Sequence, residues 1–286
     1  MSELLHLIGK VRIHSLTLIL LLIGLLSARI YEILILFLIV LVHELGHALV
    51  AHHYKWPIIR MRLYPFGGEL ETNVFGQRPW KEEFLVVLAG PFQHILLFTV
   101  AWIIHQLGWF TGAYYTLFLQ INWMVFCVNL LPILPLDGGK LLFLLIARVR
   151  PFLFAHIWTI RSSFLFLVCL ILLVALFAPT HVNSWLLISF LLFSIWKEWR
   201  QYRFSFIRFL LNKQSDEEKM KRLVVSKDTK VMDVLTRFHK NHWHEIVVIG
   251  AEEGIVALTE EDLLHECFVA KKPFTKMAEL IHENIL

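Results

Sequence analysis

The sequence predicts an α-helical polytopic membrane protein with about six transmembrane helices and a membrane-associated β-hairpin, followed by a small α/β cytosolic domain. Three observations carry this expectation. Hydrophobic residues fill 57% of the 286 positions and charged residues 17%, against about 25% charged in soluble domains. Apolar runs long enough for a bilayer recur up to residue 196. From residue 223 the composition is that of a soluble domain. The net charge of +4 is spread over loops, and a nucleic-acid surface would need a clustered basic face. Cys127, Cys169 and Cys267 are far apart and form no C-x-x-C pair, so neither a disulfide framework nor a thiolate metal site is expected.

Taken in order, residues 1–12 are short and mildly amphipathic, with Lys10 and Arg12 before the first span. Span 1 covers 13–28 and is read as a retained helix, because no small-residue cleavage site follows it. Span 2 covers 31–54. Residues 58–73, IIRMRLYPFGGELETN, are too polar for a span and break at Pro65, Gly67 and Gly68, which predicts a β-hairpin or re-entrant loop. Span 3 covers 83–106 with Gly90-Pro91 inside it. Span 4 covers 115–131 and ends at Pro132 and Pro135, after which Asp137-Gly138-Gly139 opens a short helix to Ala147. Spans 5 and 6 cover 163–177 and 184–196, with Trp196, Trp199 and Tyr202 as an interfacial belt. The transmembrane domain is bounded at 1–203, a charged linker at 204–222 and the α/β domain at 223–286.

The α/β domain reads as a β-α-β-β-α unit. Strands fall at 223–226, 245–250 and 254–258, and Val231, Val234, Leu235 and Phe238 share one face of a helix at 231–239. A second helix follows Thr259 as N-cap, with Asp262 at its third position.

Loop charges set the orientation. Lys10, Arg12, Lys55, Arg60, Arg62, Arg78, Lys81, Lys140, Arg148, Arg150, Arg161, Lys197, Arg200 and Arg203 fall on one set of connections, and Arg29 alone on the other. The positive-inside rule therefore places both termini, and the C-terminal half of span 2, on the cytosolic side.

That half of span 2 carries His43, Glu44 and His47 as H-E-L-G-H, inside the apolar stretch 33–50. Histidines at i and i+4 lie one above the other on a helix, so both imidazoles reach one metal ion with the intervening carboxylate beside it. Ionisable groups inside a span cost roughly 2.5–3.5 kcal/mol each on insertion scales and mark function by default. A catalytic zinc site takes a third protein ligand. Asp137, at the broken end of span 4, leads the candidates; it also reads as a plain helix N-cap. Glu69 and Glu71 on the hairpin compete, although a solvated strand face accounts for them as well. Asn129, a carboxamide two turns before Asp137, could hold an extended substrate backbone or simply bond a neighbouring helix. His52 and His53 read as structural; His94, three residues after Pro91, could contact the site or be a packed, hydrogen-bonded histidine.

Three motifs coincide: HELGH in span 2, Ala89-Gly90-Pro91 in span 3, and NLLPILPLDG at 129–138. Over about residues 30–145 they resemble the site-2 protease family of intramembrane zinc metalloproteases. The resemblance implies His43, His47 and Asp137 as ligands of one zinc ion and Glu44 as catalytic acid and base. It implies a substrate-guiding hairpin, with Asn129, Pro135, Phe66 and Gly67 in substrate binding. His94 departs from the family, where many members carry Asn after the Gly-Pro, which leaves the contribution of span 3 open. The C-terminal unit resembles a single CBS domain through GIVALTEED at 254–262, which implies nucleotide contacts at Thr259 and Asp262 and ATP as a regulatory ligand. CBS motifs work in pairs, so a homo-oligomer or a partner is implied.

Six spans, no PDZ domain and one CBS-like domain are similar to the sporulation branch of the family. That likeness implies a membrane-associated transcription-factor precursor as substrate, the sigma-K precursor, cut in the mother-cell membrane around the forespore under inhibitory membrane proteins. Related proteases cut other membrane substrates, such as an anti-sigma factor. A CBS-regulated metal or ion transporter is the alternative from another class. It would favour inverted repeats, and the chain has no internal repeat and no evident transport role for Glu44. An inactive scaffold is disfavoured by the intact HELGH and Asp137.

Overall fold

The computed structural model describes residues 30–64, 67–72, 78–110, 112–213, 220–240, 242–251 and 254–285, with residue 74 and scattered positions before residue 30. The expected first span lies mostly outside the described residues. The chain divides into two compact units. One comprises Met1–Phe75, Lys81–Leu142 and Ser162–Trp196, the other Gly76–Trp80, Phe143–Arg161 and Lys197–Leu286.

The first unit is built around helix α1, Ile30–His53. Its aliphatic run makes it one of three helices among the described residues long and apolar enough to cross a membrane; the others are α2, Trp80–Gln106, and the Phe152–Phe177 helix. Helix α2 runs through Pro91 without ending. Helix α3, Gly112–Asn129, buries Phe118, Asn122, Val125 and Asn129, a spacing of four, three and four that traces one helical face. Two apolar clusters hold these helices together. Ile39, Val40, Ala101, Phe118 and Val125 form one. Ala48, Ala51, Trp56, Ile58, Met61 and Val86 form the other, tying the C-terminal end of α1 to the hairpin.

The hairpin is present as β2, Ile58–Tyr64, and β3, Gly67–Thr72, paired antiparallel. A third strand was not expected. Residues Val11–Ile13 (β1) pair parallel with β2, Val11 opposite Met61 and Ile13 opposite Leu63, giving the order β1-β2-β3. Strand β2 is thus paired on both edges, and β3 is an outer strand of the sheet among the described residues.

After α3 the chain is irregular. Ile133, Leu134 and Leu136 are buried, and the peptide bond before Pro135 is cis. Buried irregular backbone requires its polar groups to be satisfied. Here Ile133 N–H donates to the Leu131 carbonyl, Leu136 N–H to the Ile133 carbonyl, and Leu134 N–H to Ser163 Oγ at 2.9 Å. Helix α4, Asp137–Ala147, then opens with Asp137 in its first turn, where a carboxylate complements the helix dipole. Helices α5, Phe152–Phe177, and α6, Val182–Leu211, follow. Expected spans 4 and 6 fall on α3 and α6. Helix α3 carries Gln120 and Asn122 mid-length, and α6 gathers its charges from Lys197 onward.

The C-terminal part of the second unit has the order β4 (Met220–Ser226), α7 (Val231–Leu235), β5 (Trp243–Ala251), β6 (Gly254–Leu258), α8 (Glu260–Phe268) and α9 (Met277–Ile285). Strand β4 pairs parallel with β5, and β5 antiparallel with β6. The predicted face of Val231, Val234, Leu235 and Phe238 is fully buried, although the helix itself ends at Leu235. Helix α9 was not expected; its Met277, Leu280 and Ile281 are buried.

Candidate active site

The site grows from the middle of α1. His43, Glu44 and His47 lie within one turn and are 3–4% exposed. Helix geometry brings the two rings together edge to face, with centroids 4.7 Å apart and planes at 87°. His47 Nδ1 donates to the carbonyl of Val86 on α2 at 2.7 Å. A neutral imidazole carries one N–H, so the Nε2 of His47 presents its lone pair. That Nε2 is 3.1 Å from His43 Nε2 and 3.0 Å from Asp137 Oδ2. Asp137 Oδ2 is also 3.0 Å from His43 Nε2.

Two imidazole nitrogens and a carboxylate oxygen therefore form a near-equilateral triangle, buried among apolar helices. With lone pairs on both nitrogens, three such donor atoms repel one another unless a cation sits among them. The edges of 3.0–3.1 Å are close to the ~3.3 Å edge of a tetrahedral zinc site with bonds of ~2.0–2.1 Å. The residues fit a zinc ion. The other oxygen of Asp137 accepts from Lys140 Nζ at 3.2 Å, so the carboxylate is held on both sides. Glu44 is a second geometric candidate for the third ligand, since its carboxylate lies within 4.8 Å of both histidines. Its Oε1 stands 4.0 Å from His43 Nε2, a full ångström farther than Asp137 Oδ2.

Two glycines make the room. A Cβ on Gly90 of α2 would collide with the Nε2 and Cε1 of His47 and the Cε1 of His43. A Cβ on Gly68 of β3 would collide with the Glu44 carboxylate. The outer strand of the hairpin sheet thus runs directly against Glu44.

Of the other expected site residues, Asn129 ends α3, buried, on the face that carries Asn122. Pro135 lies half-buried in the irregular segment. Gly67 opens β3, and Phe66 lies outside the described residues. Glu71 is ion-paired with Arg60 at 2.5 Å and Arg62 at 3.0 Å on the sheet surface. Thr259 and Asp262 form a complete capping box. The Thr259 amide and hydroxyl donate to Asp262 Oδ2 at 2.8 and 2.7 Å, and the Asp262 amide donates back to Thr259 Oγ1 at 3.3 Å.

The sequence singles out His94 as a contact to the site or a packed, hydrogen-bonded histidine, and gives no role to Asn122. In the structure His94 Nε2 is 3.0 Å from His43 Nδ1, and His94 Nδ1 is 2.7 Å from Asn122 Oδ1. The signal was faint: Asn122 is a polar residue on the same face of an apolar helix as Asn129, two turns earlier.

A donor triangle fit for zinc, with a carboxylate beside it, inside helices long and apolar enough to cross a bilayer, defines a membrane-embedded metallohydrolase. Comparison with known proteins places it further. Residues 31–110 and 103–172 match the profile of peptidase family M50. The chain is 39% identical over 285 residues to stage IV sporulation protein FB of Bacillus subtilis, covering 98% of this chain and 99% of that one. It is 34% identical over 114 residues to a zinc metalloprotease of Methanocaldococcus jannaschii, 38% of this chain and 32% of that one. The solved site-2 protease from Methanocaldococcus jannaschii superposes with a TM-score of 0.55 at 25% identity, over 66% of this chain and 89% of that one. The chain belongs to peptidase family M50, the site-2 proteases, and is an integral-membrane metalloendopeptidase.

Proposed function

We propose that this protease cuts the membrane-associated precursor of the transcription factor sigma-K during endospore formation, with His43, His47 and Asp137 holding one zinc ion and Glu44 moving the proton. The observation that carries the chemical part is the triangle of His43 Nε2, His47 Nε2 and Asp137 Oδ2. The likeness to a sporulation protein over nearly the whole of both chains supports the biological part.

Zinc bound at the triangle supplies Lewis acidity to the substrate carbonyl and the attacking water. Glu44 takes the water's proton and delivers it to the leaving amine. The helices around it exclude bulk water, which strengthens every charge interaction in the site. A helical substrate hides its carbonyls in its own hydrogen bonds and must be extended first. Strand β3 offers its outer edge for strand addition, and Gly68 brings that strand against Glu44. Asn129, Pro135, Phe66 and Gly67 are assigned to holding the extended chain.

Six apolar runs support six spans, and the loop charges support both termini and the C-terminal domain in the cytosol; the likeness to a sporulation protein supports the mother-cell membrane around the forespore as the location. The β-α-β-β-α unit is read as a CBS domain that senses ATP through Thr259 and Asp262 and pairs with a second copy. Inhibitory membrane proteins restrain the enzyme. ATP titration of wild type and Asp262→Ala tests the nucleotide part; identical responses remove it.

For the site, Asp137→Asn is co-expressed with the sigma-K precursor, and both cleavage and bound zinc are measured. Both are expected to fall by more than the roughly 10–100-fold that loss of an outer-shell partner costs. Wild-type zinc and cleavage would return the third-ligand assignment to Glu44 or Glu69.

A further inference from the structure

We infer that His94 and Asn122 act as a positioning relay that fixes His43 in the tautomer whose Nε2 binds the metal. The inference rests on the reading of His43 as a zinc ligand and adds two residues to it.

The chain of hydrogen bonds has one consistent proton assignment, read from its far end. Asn122 is fully buried in α3, and its amide nitrogen donates to the main-chain carbonyl of His94 at 3.1 Å. The reverse amide orientation would set Asn122 Oδ1 against that carbonyl, two acceptors with no hydrogen between them. Oδ1 therefore faces His94 Nδ1, at 2.7 Å. An oxygen without a hydrogen can only accept, so His94 Nδ1 carries the proton. The His94 ring is fully buried and in its neutral form has one N–H, so its Nε2 is an acceptor. That Nε2 lies 3.0 Å from His43 Nδ1. His43 Nδ1 must then be the donor, and His43 Nε2 is left with its lone pair toward Asp137 Oδ2 and His47 Nε2.

His47 reaches the same state by a shorter route, through the Val86 carbonyl. Each ligand histidine is thus locked at Nδ1, one by backbone and one by a side-chain relay spanning two helices. Metal-binding histidines generally give their second N–H to a carboxylate, a carbonyl or water. A neutral imidazole in that place orients the ring without adding negative charge to a buried site. Phe126, one turn after Asn122, packs edge-on against the His94 ring at 5.6 Å and 63° and holds its plane.

The test is zinc affinity of the purified full-length chain, measured by competition with a chelator, which reads the metal without requiring a substrate. His94→Phe keeps a ring and removes the acceptor. His94→Gln restores an acceptor through its side-chain carbonyl. His94→Phe is expected to bind zinc about 10–100-fold more weakly than wild type, with His94→Gln recovering part of the loss. Asn122→Leu, which frees the His94 tautomer, should weaken zinc in the same direction, and it carries the test if His94→Phe does not fold. Wild-type affinity in His94→Phe, or equal losses in the Phe and Gln variants, would overturn the relay; so would wild-type affinity in Asn122→Leu. His43→Ala separates this from the underlying reading. If it keeps its zinc, the ligand assignment itself fails. If it loses zinc while the His94 variants hold theirs, only the relay does.

Discussion

Each atom of the donor triangle is held by a second bond that points away from the metal position. Val86 holds His47, His94 holds His43, and Lys140 holds Asp137. Between the rings, the missing side chain of Gly90 counts as much as those present. A Gly90→Ala methyl must displace the two imidazoles, and overpacking of this kind costs about 1–3 kcal/mol. Gly90→Ala is therefore expected to lose zinc and cleavage together, with the melting temperature of the metal-free protein falling by only a few degrees. Equal zinc content in wild type and variant would show that the rings have room to spare. The HELGH was legible in the sequence because both histidines share one helix and the helix sets their spacing. For His94 a contact to the site was legible but its partner was not, because it joins positions 51 apart, and the Asn122 contact, which spans 28, was not legible at all. Only the packing of α1, α2 and α3 brings them together.

At the level of elements, the hairpin was legible from its turn residues, whereas β1 was not. Three residues carry no measurable alternation, and its partner is a parallel strand far along the chain. Helix α9 escaped although Met277, Leu280 and Ile281 have helical spacing, because nine residues give the pattern little length. The C-terminal unit has its own buried ionic centre. Glu260 pairs with Lys213, beyond the end of α6, and accepts from the His244 ring and amide at 2.5 and 2.8 Å. His239 lies beside it, its pKa pushed down to about 4 by burial first and then by Lys221. An unfolded histidine titrates near 6.5. The unfolded chain therefore takes up a proton that the folded unit refuses, so stability is full above that value and falls as pH drops toward 4. Burial lowers His244 as well, which acts in the same direction. Calorimetry of the full chain should show its C-terminal transition moving down between about pH 7 and pH 5, with a shallower slope in His239→Phe. An unchanged slope would remove His239 as the cause. Independently, Thr259→Ala should cost this unit about 1 kcal/mol through loss of the cap, measured by the same transition.

For the whole molecule, hydropathy and loop charge made the membrane class legible, because a bilayer imposes length and composition directly on sequence. The two compact units were less so. The division does not follow the fall in hydropathy, since Phe143–Arg161 groups with the C-terminal part. The central claim is that Glu44 moves the proton while His43, His47 and Asp137 hold the metal. The direct measurement pairs zinc content with cleavage of a membrane-tethered substrate in wild type and Glu44→Gln. The account predicts that Glu44→Gln keeps its zinc and loses cleavage by about 10²–10⁴-fold. A Glu44→Gln enzyme that still cuts at the wild-type rate, or one that loses its zinc, would contradict it.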